Sequence, residues 1–143
     1  MTGIYDDQGI RFVYPVGWEV DATDGGAVST IAVQSPDGPS FLFVTLDATR
    51  PEPKFIADQA LEAMREEYPT LEAISIGELI NGHPAFGHDI DFISLDLANS
   101  CAIRCYRTPR RTVLFFGQWS DLESDTAEDV MLAVRGSIEE TDS

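Results

Sequence analysis

The chain has 143 residues, a length that predicts a single domain over residues 1–143. Its composition, 43% hydrophobic and 24% charged, is typical of a globular protein and excludes full disorder. Nine Lys and Arg residues against 25 Asp and Glu residues give a formal net charge of −16, which disfavours binding to nucleic acids and to anionic membranes.

The first half of the chain predicts four strands followed by a helix. The strands cover residues 9–15, 17–20, 27–35 and 40–47, with Gly and Pro at the turns. Residues 41–44 are apolar without alternation, which is typical of a central strand covered on both sides. From Pro53 to Tyr68 the apolar residues follow helical spacing, and Pro69 ends this helix.

The second half predicts four more strands and a closing helix. The strands cover residues 71–80, 83–93, 99–107 and 112–119. The Asn81-Gly82 pair is a hairpin signal, because both residues tolerate positive φ. A capping box over residues 120–123 begins a helix whose apolar residues keep the helical spacing as far as Ile138. The polar residues 139–143 are expected to fray.

This element order predicts an α+β fold. The strands do not alternate with helices as βαβ units would, and the hairpin turns imply antiparallel pairing. Both helices are amphipathic, so each needs a sheet to cover its apolar side. We therefore expect one antiparallel β-sheet covered by the two helices.

The N-terminus and the cysteines predict a cytoplasmic protein. Residues 1–7 lack the basic and apolar regions of a signal peptide, and no apolar run reaches the roughly 18 residues that a membrane span needs. Cys101 and Cys105 lie on one predicted strand, about 13 Å apart, which is too far for a disulfide. Free thiols fit a reducing compartment.

One local phrase resembles a known superfamily. Residues 12–20 read Phe-Val-Tyr-Pro-Val-Gly-Trp-Glu-Val, in which proline ends a strand, glycine turns the chain and tryptophan enters the core. Together with the Asn81-Gly82 hairpin and the closing helix, this phrase resembles the PsbP-like superfamily, as a short bacterial member. That superfamily includes the photosystem II PsbP protein and the Ran-binding Mog factor. The resemblance implies an α/β sandwich over nearly the whole chain and a non-catalytic role in binding or assembly.

Sequence motifs for cofactor chemistry are missing. The sequence contains neither Cys-x-x-Cys nor His-Glu-x-x-His, and it has no Gly-x-Ser-x-Gly nucleophile phrase. Residues 77–82 have the glycine spacing of a phosphate-binding loop, but His83-Pro84 follows where Gly-Lys-Ser/Thr is needed. We therefore expect no metal and no cofactor.

The basic residues are clustered. Four of the nine, Arg104, Arg107, Arg110 and Arg111, lie within eight positions around one predicted turn. Guanidinium groups bind carboxylates and phosphates well, so the cluster predicts a protein or acidic-peptide partner. The alternative is that these arginines pair with surface acids of the same chain. Trp119, at a strand end, is a candidate to line a binding groove.

A second function stays open, that of a small hydrolase or lyase. Asp89 and Asp91 share one face of a predicted strand, roughly 6 to 7 Å apart, a spacing compatible with acid–base chemistry that would use His88 as well. The alternative is a solvated acidic face, since a chain with 25 acidic residues makes such pairs often. The partner and the oligomeric state do not follow from the sequence.

Overall fold

The structure, a computed structural model, describes residues 2–36 and 38–141, except the side chains of residues 124 and 125. Within this part of the chain lie ten strands, two α-helices and one 3₁₀ turn. The strands are β1 (Thr2–Asp7), β2 (Ile10–Pro15), β3 (Glu19–Gly25), β4 (Val28–Gln34), β5 (Phe41–Asp47), β6 (Glu72–Ile80), β7 (His83–Ser94), β8 (Leu97–Arg107), β9 (Thr112–Ser120) and β10 (Glu139–Glu140). The helices are α1 (Pro53–Glu67) and α2 (Ser124–Ser137), and the 3₁₀ turn is Asp121–Glu123. The predicted α+β class is confirmed.

The strands form two antiparallel sheets, where the sequence predicted one. The large sheet has seven described strands in the order β3-β4-β5-β9-β8-β7-β6. The small sheet has the order β1-β2-β10. β5 lies inside the large sheet, as its continuous apolar run predicted. β1 was not predicted, because Gly3, Asp6 and Asp7 weaken the strand signal of residues 2–7.

The helices cover opposite faces of the large sheet, which we call the α1 face and the α2 face. On the α1 face, α1 buries Ala57, Leu61 and Met64 against apolar side chains of β7, β8 and β9. On the α2 face, α2 and the small sheet together cover the remaining core. The two core layers therefore lie on either side of one pleated sheet, as in a sandwich.

The two helices begin differently. α1 begins at Pro53, whose fixed φ and missing N–H suit the first helical position, and the N–H of Tyr68 closes the helix on the Met64 carbonyl. The predicted capping box of α2 does not form. Ser120 instead pairs with Asn99 in the β8–β9 ladder, and the Glu123 carboxylate accepts a hydrogen bond from Ser40 Oγ at 2.9 Å.

Residues 139–141 are held by the small sheet, whereas the sequence predicted fraying over residues 139–143. Glu139 and Glu140 pair with Arg11 and Ile10 of β2, and the Thr141 N–H donates to the Gly9 carbonyl. Residues 142 and 143 lie outside the described residues. No helix in the described part of the chain is long and apolar enough to cross a bilayer.

Candidate functional site

The β8–β9 turn brings three of the predicted arginines, Arg107, Arg110 and Arg111, to one end of the large sheet. Arg50 joins them from the segment between β5 and α1. Its Nε donates to the Thr108 carbonyl at 2.9 Å, and Arg107 Nη2 donates to the Arg50 carbonyl at 2.9 Å. We call Arg50, Arg107, Arg110 and Arg111 the arginine cluster.

The sequence did not predict Arg50 as a member of this cluster. It lies 57 residues before Arg107 in the chain, so no local pattern connects the two. The connection comes from the pairing of β5 with β9, in which Asp47 lies opposite Thr112. That pairing places the end of β5 beside the β8–β9 turn, and the cluster follows from this long-range contact.

The cluster contains arginines of two kinds. The Arg107 and Arg110 side chains are 38% and 46% exposed, and each lies a long 3.9 Å from a carboxylate, of Glu52 and Glu140 respectively. Arg111 is largely buried and donates to the Gln8 carbonyl at 2.7 Å. Their exposure makes Arg107 and Arg110 accessible to a partner, whereas Arg111 holds the small sheet against the turn.

Thr108 fixes the conformation of the turn. Its N–H donates to the Arg111 carbonyl at 2.8 Å. Its hydroxyl oxygen accepts the N–H groups of Arg110 and Arg111 at 3.2 and 3.1 Å. Because these contacts hold the backbone, a partner would bind arginines whose Cα positions are already set.

The cluster already holds one acidic group of the same chain. The Glu140 carboxylate accepts the Thr108 hydroxyl hydrogen and lies 3.3 Å from Arg111 Nε. Arg110 Nη1 donates to the Thr141 carbonyl at 3.2 Å. Pairing with acids of the same chain, the alternative to partner binding, thus accounts for Arg111 and for part of the contacts of Arg107 and Arg110.

A cavity of about 270 Å³ lies beside the cluster. Arg110 and Arg111 form one side of it, β3 contributes Asp24, and the turns that follow β1 and β3 contribute Gln8 and Gly26. A side chain of a bound segment would fit in this cavity, next to the guanidinium groups of Arg110 and Arg111.

Arg104 does not belong to the cluster, so this part of the prediction is wrong. Its side chain is 3% exposed and lies on the α2 face, where Nη2 donates to Asp89 at 2.9 Å and Nε to Glu78 at 3.1 Å. Glu78 also lies 3.5 Å from Arg135 of α2, and desolvation by burial lowers the pKa of Arg135. Sequence proximity is misleading here because residue 104 lies within β8, where alternation turns its side chain inward.

Trp119 also lies away from the cluster, although it does line a groove. It pairs with Ser100 near the opposite end of the β8–β9 ladder from the turn. There it lines a cavity of about 300 Å³ between α2 and the α2 face, together with Asp89, Asp91 and Leu132. The five predicted site residues therefore fall in three separate places.

The predicted Asp/His cluster is not assembled. Asp89 and Asp91 point to the α2 face, whereas His88 points to the α1 face and is buried. His88 Nε2 lies 2.9 Å from Asp58 Oδ1, and Nδ1 lies 3.4 Å from Ser75 Oγ. Hydrogen bonds from Lys54 and then from His88 lower the pKa of Asp58. The contacts of His88 thus connect α1 to β6 and β7.

Two antiparallel sheets with one helix on each face of the larger sheet define a PsbP-like α/β sandwich. The chain is similar to cyanobacterial PsbP (CyanoP) from Synechocystis, with a TM-score of 0.67 and 12% identity over 97% of this chain and 92% of that one. It is also similar to LpqN of Mycobacterium tuberculosis, which is involved in cell envelope biogenesis. That TM-score is 0.63, with 13% identity over 99% of this chain and 91% of that one.

A Bacteroides thetaiotaomicron protein gives a TM-score of 0.60 at 11% identity, over 97% of this chain and 47% of that one. No protein-family model matches the sequence, and no curated protein matches it. At these identities the structural similarities show the fold, which is the PsbP-like fold that the sequence predicted.

Proposed function

We propose that this chain is a non-catalytic binding module whose arginine cluster takes an acidic segment of a protein partner. The observation that carries the proposal is the exposure of the Arg107 and Arg110 side chains at the β8–β9 turn, in a chain of net charge −16. The free, buried thiols of Cys101 and Cys105 fit the cytoplasmic setting that we attach to this proposal.

The charge distribution supports an acidic partner. Four of the nine basic residues of the chain belong to the cluster, while 25 acidic residues are spread over the rest of the sequence. An acidic segment approaching such a molecule is repelled by most of its surface, and the arginine cluster, although Glu52 and Glu140 lie beside it, is where the basic residues concentrate. This asymmetry sets the orientation of binding and the association rate more than it sets the affinity.

The contacts of Glu140 support the same chemistry. One carboxylate of this chain already lies against the Thr108 hydroxyl and Arg111, and Arg110 donates to a backbone carbonyl beside it. A partner with several acidic side chains would bind in the same manner, reaching Arg107 and Arg110 from the solvent side. Guanidinium groups favour such carboxylates through paired, charge-assisted hydrogen bonds.

A labelled oligoglutamate peptide tests the proposal at low ionic strength, with fluorescence anisotropy as the measurement. The Arg107→Glu/Arg110→Glu variant keeps Arg111, and we expect its affinity for the peptide to fall at least about tenfold. The matched control is Lys54→Glu/Arg65→Glu, which makes the same change in net charge on the exposed side of α1. An equal loss of affinity in both variants would mean that total charge, rather than the cluster, governs binding.

One observation favours a second candidate function, hydrolysis. Ser75, His88 and Asp58 form a chain of polar contacts of the kind that activates a serine nucleophile. We prefer binding because Lys54 shares the Asp58 carboxylate at 3.0 Å and Ser75 lies in the middle of a strand rather than at a sharp turn. Hydrolysis of p-nitrophenyl acetate that is lost in Ser75→Ala would instead support the enzyme.

A further inference from the structure

β6 forms one edge of the large sheet, and it is unusually open for a natural edge strand. Its outer side pairs with no other strand in the described part of the chain. The strand is nine residues long and contains neither Lys nor Pro, the residues that most often protect such edges. Unpaired N–H and C=O groups therefore run along a regular strand, where they can pair with an added one.

The opposite edge of the same sheet, β3, carries charged residues that discourage pairing with another strand. β3 exposes the acidic residues Glu19, Asp21 and Asp24. β6 instead exposes Ile74 and Leu79, which are 67% and 71% exposed. The two edges therefore differ in chemistry, and only β6 combines a free backbone edge with large apolar side chains.

Glu78, the one acidic residue between Ile74 and Leu79, has its carboxylate directed inward and paired. It accepts a hydrogen bond from Arg104 and lies 3.5 Å from Arg135 of α2. The charge that could discourage another strand is thus largely neutralised within the molecule. This leaves the centre of the edge, from Ile74 to Leu79, without an outward-directed ionic group.

The first residue of β6, Glu72, indicates which charge a segment bound along this edge would carry. Glu72 lies directly opposite Asp91 in the β6–β7 register, so the two carboxylates are neighbours on the α2 face. Asp91 accepts a hydrogen bond from Ser100, and neither acid pairs with a Lys or Arg among the residues that the structure describes. Like charges placed directly opposite are unfavourable, and a basic side chain beside Glu72 would relieve this repulsion.

We propose that β6 binds an extended segment of a partner protein as an added strand, with a lysine or arginine of that segment beside Glu72. Apolar side chains of the segment would cover Ile74 and Ile76 on the α2 face and Leu79 on the α1 face. Backbone hydrogen bonds would supply affinity, while the apolar positions and the basic residue would supply specificity. This surface is separate from the arginine cluster, which lies at the Ile80 end of the strand.

A labelled peptide of valine and threonine that ends in two lysines tests the proposal by fluorescence anisotropy. We expect saturable binding, slower amide hydrogen exchange confined to β6, and at least about tenfold weaker binding when the lysines are replaced by glutamates. Ile74→Lys should weaken binding to a similar extent. Val16→Lys is the matched control, since Val16 is an exposed apolar residue outside this edge.

Ile74→Thr is a second variant that keeps the β-branched shape but removes apolar surface. It should also weaken binding, so a folding defect in Ile74→Lys cannot decide the result. The Arg107→Glu/Arg110→Glu variant should bind the lysine peptide as the parent chain does, which separates this proposal from the proposed function. Unchanged β6 amide exchange, or equal binding of both peptides, would overturn the proposal. A dimer in native mass spectrometry that Ile74→Lys dissociates would also overturn it, because the occupant would then be a second copy.

Discussion

Arg104 and Asp89 form a short ion pair, with Nη2 and Oδ1 2.9 Å apart, across the junction of β7 and β8. The Arg104 side chain is buried, whereas the Asp89 side chain is half exposed. Through Glu78, the same guanidinium group connects β8 to the edge strand β6 and to Arg135 of α2. A basic residue that the sequence suggested for a partner is therefore the centre of an internal network.

This network makes Arg104 a stability residue. Arg104→Ala removes the packing of its aliphatic stem, its bond to the Ile103 carbonyl and two ion pairs. We expect a loss of about 2–3 kcal/mol of unfolding free energy, measured by urea denaturation. Arg65→Ala, which breaks an exposed pair with Glu62, should cost under about 0.5 kcal/mol. Similar costs for both variants would contradict this role.

Gly87 lies where a side chain has no room. A Cβ at this position would lie 1.7 Å from the Ile103 carbonyl oxygen and 3.1 Å from Arg104 Cδ. Gly87→Ala should therefore cost about 3 kcal/mol, because backbone atoms must move. Gly77→Ala is the control on the neighbouring strand, since a Cβ there meets no atom within 4 Å. Chemical denaturation of the two variants gives the comparison, and a stable Gly87→Ala protein would disprove the close packing.

The two cysteines should resist modification in the folded protein. Desolvation by burial raises the pKa of Cys101, and it raises the pKa of Cys105 to about 12. Both thiols therefore stay protonated at about pH 8, where an exposed thiol begins to ionise. Alkylation by iodoacetamide, followed by mass spectrometry, should be slow until urea unfolds the chain. Rapid alkylation of the folded protein would show that the β8 core opens.

Acid should weaken the attachment of α1 to the sheet. Hydrogen bonds from Lys54 and then His88 lower the pKa of Asp58 in the fold. Its carboxylate therefore contributes stability above the unfolded pKa of about 4, and this stability is lost as the pH falls through the folded pKa. Asp58→Asn should lower Tm at neutral pH and converge with the parent chain in strong acid. Glu62→Gln, on the same helix, is the control that should leave Tm nearly unchanged.

The sequence predicted the large sheet well because its signals are local. The Asn81-Gly82 turn has the positive φ values, 50° and 82°, that the dipeptide implied, and β6 and β7 pair in register on either side of it. α1 begins at Pro53 and ends shortly before Pro69, and each boundary follows from the properties of a single proline. Such features need no knowledge of distant parts of the chain.

The small sheet and the membership of the arginine cluster depend on contacts between residues far apart in the chain. Local sequence patterns do not predict such contacts. β10 exists because the chain returns to β2 after α2, so polar residues that look terminal become a strand. The pairing of β5 with β9 places Arg50 in the cluster. The alternation of side chains along β8 places Arg104 in the interior, away from the cluster. The predicted capping box is absent for a related reason: Ser120 pairs with Asn99 in the β8–β9 ladder and does not cap α2.

The short strand β10 gives the arginine cluster a resident competitor. Since Glu140 is tethered beside Arg110 and Arg111, its local concentration is fixed by the fold and does not fall on dilution. If the cluster binds acidic partners as proposed, a single carboxylate would have to displace Glu140 or share its donors, whereas a ligand with several acidic groups would also reach Arg107. On that proposal, ligands with several acidic groups bind better than isolated carboxylates.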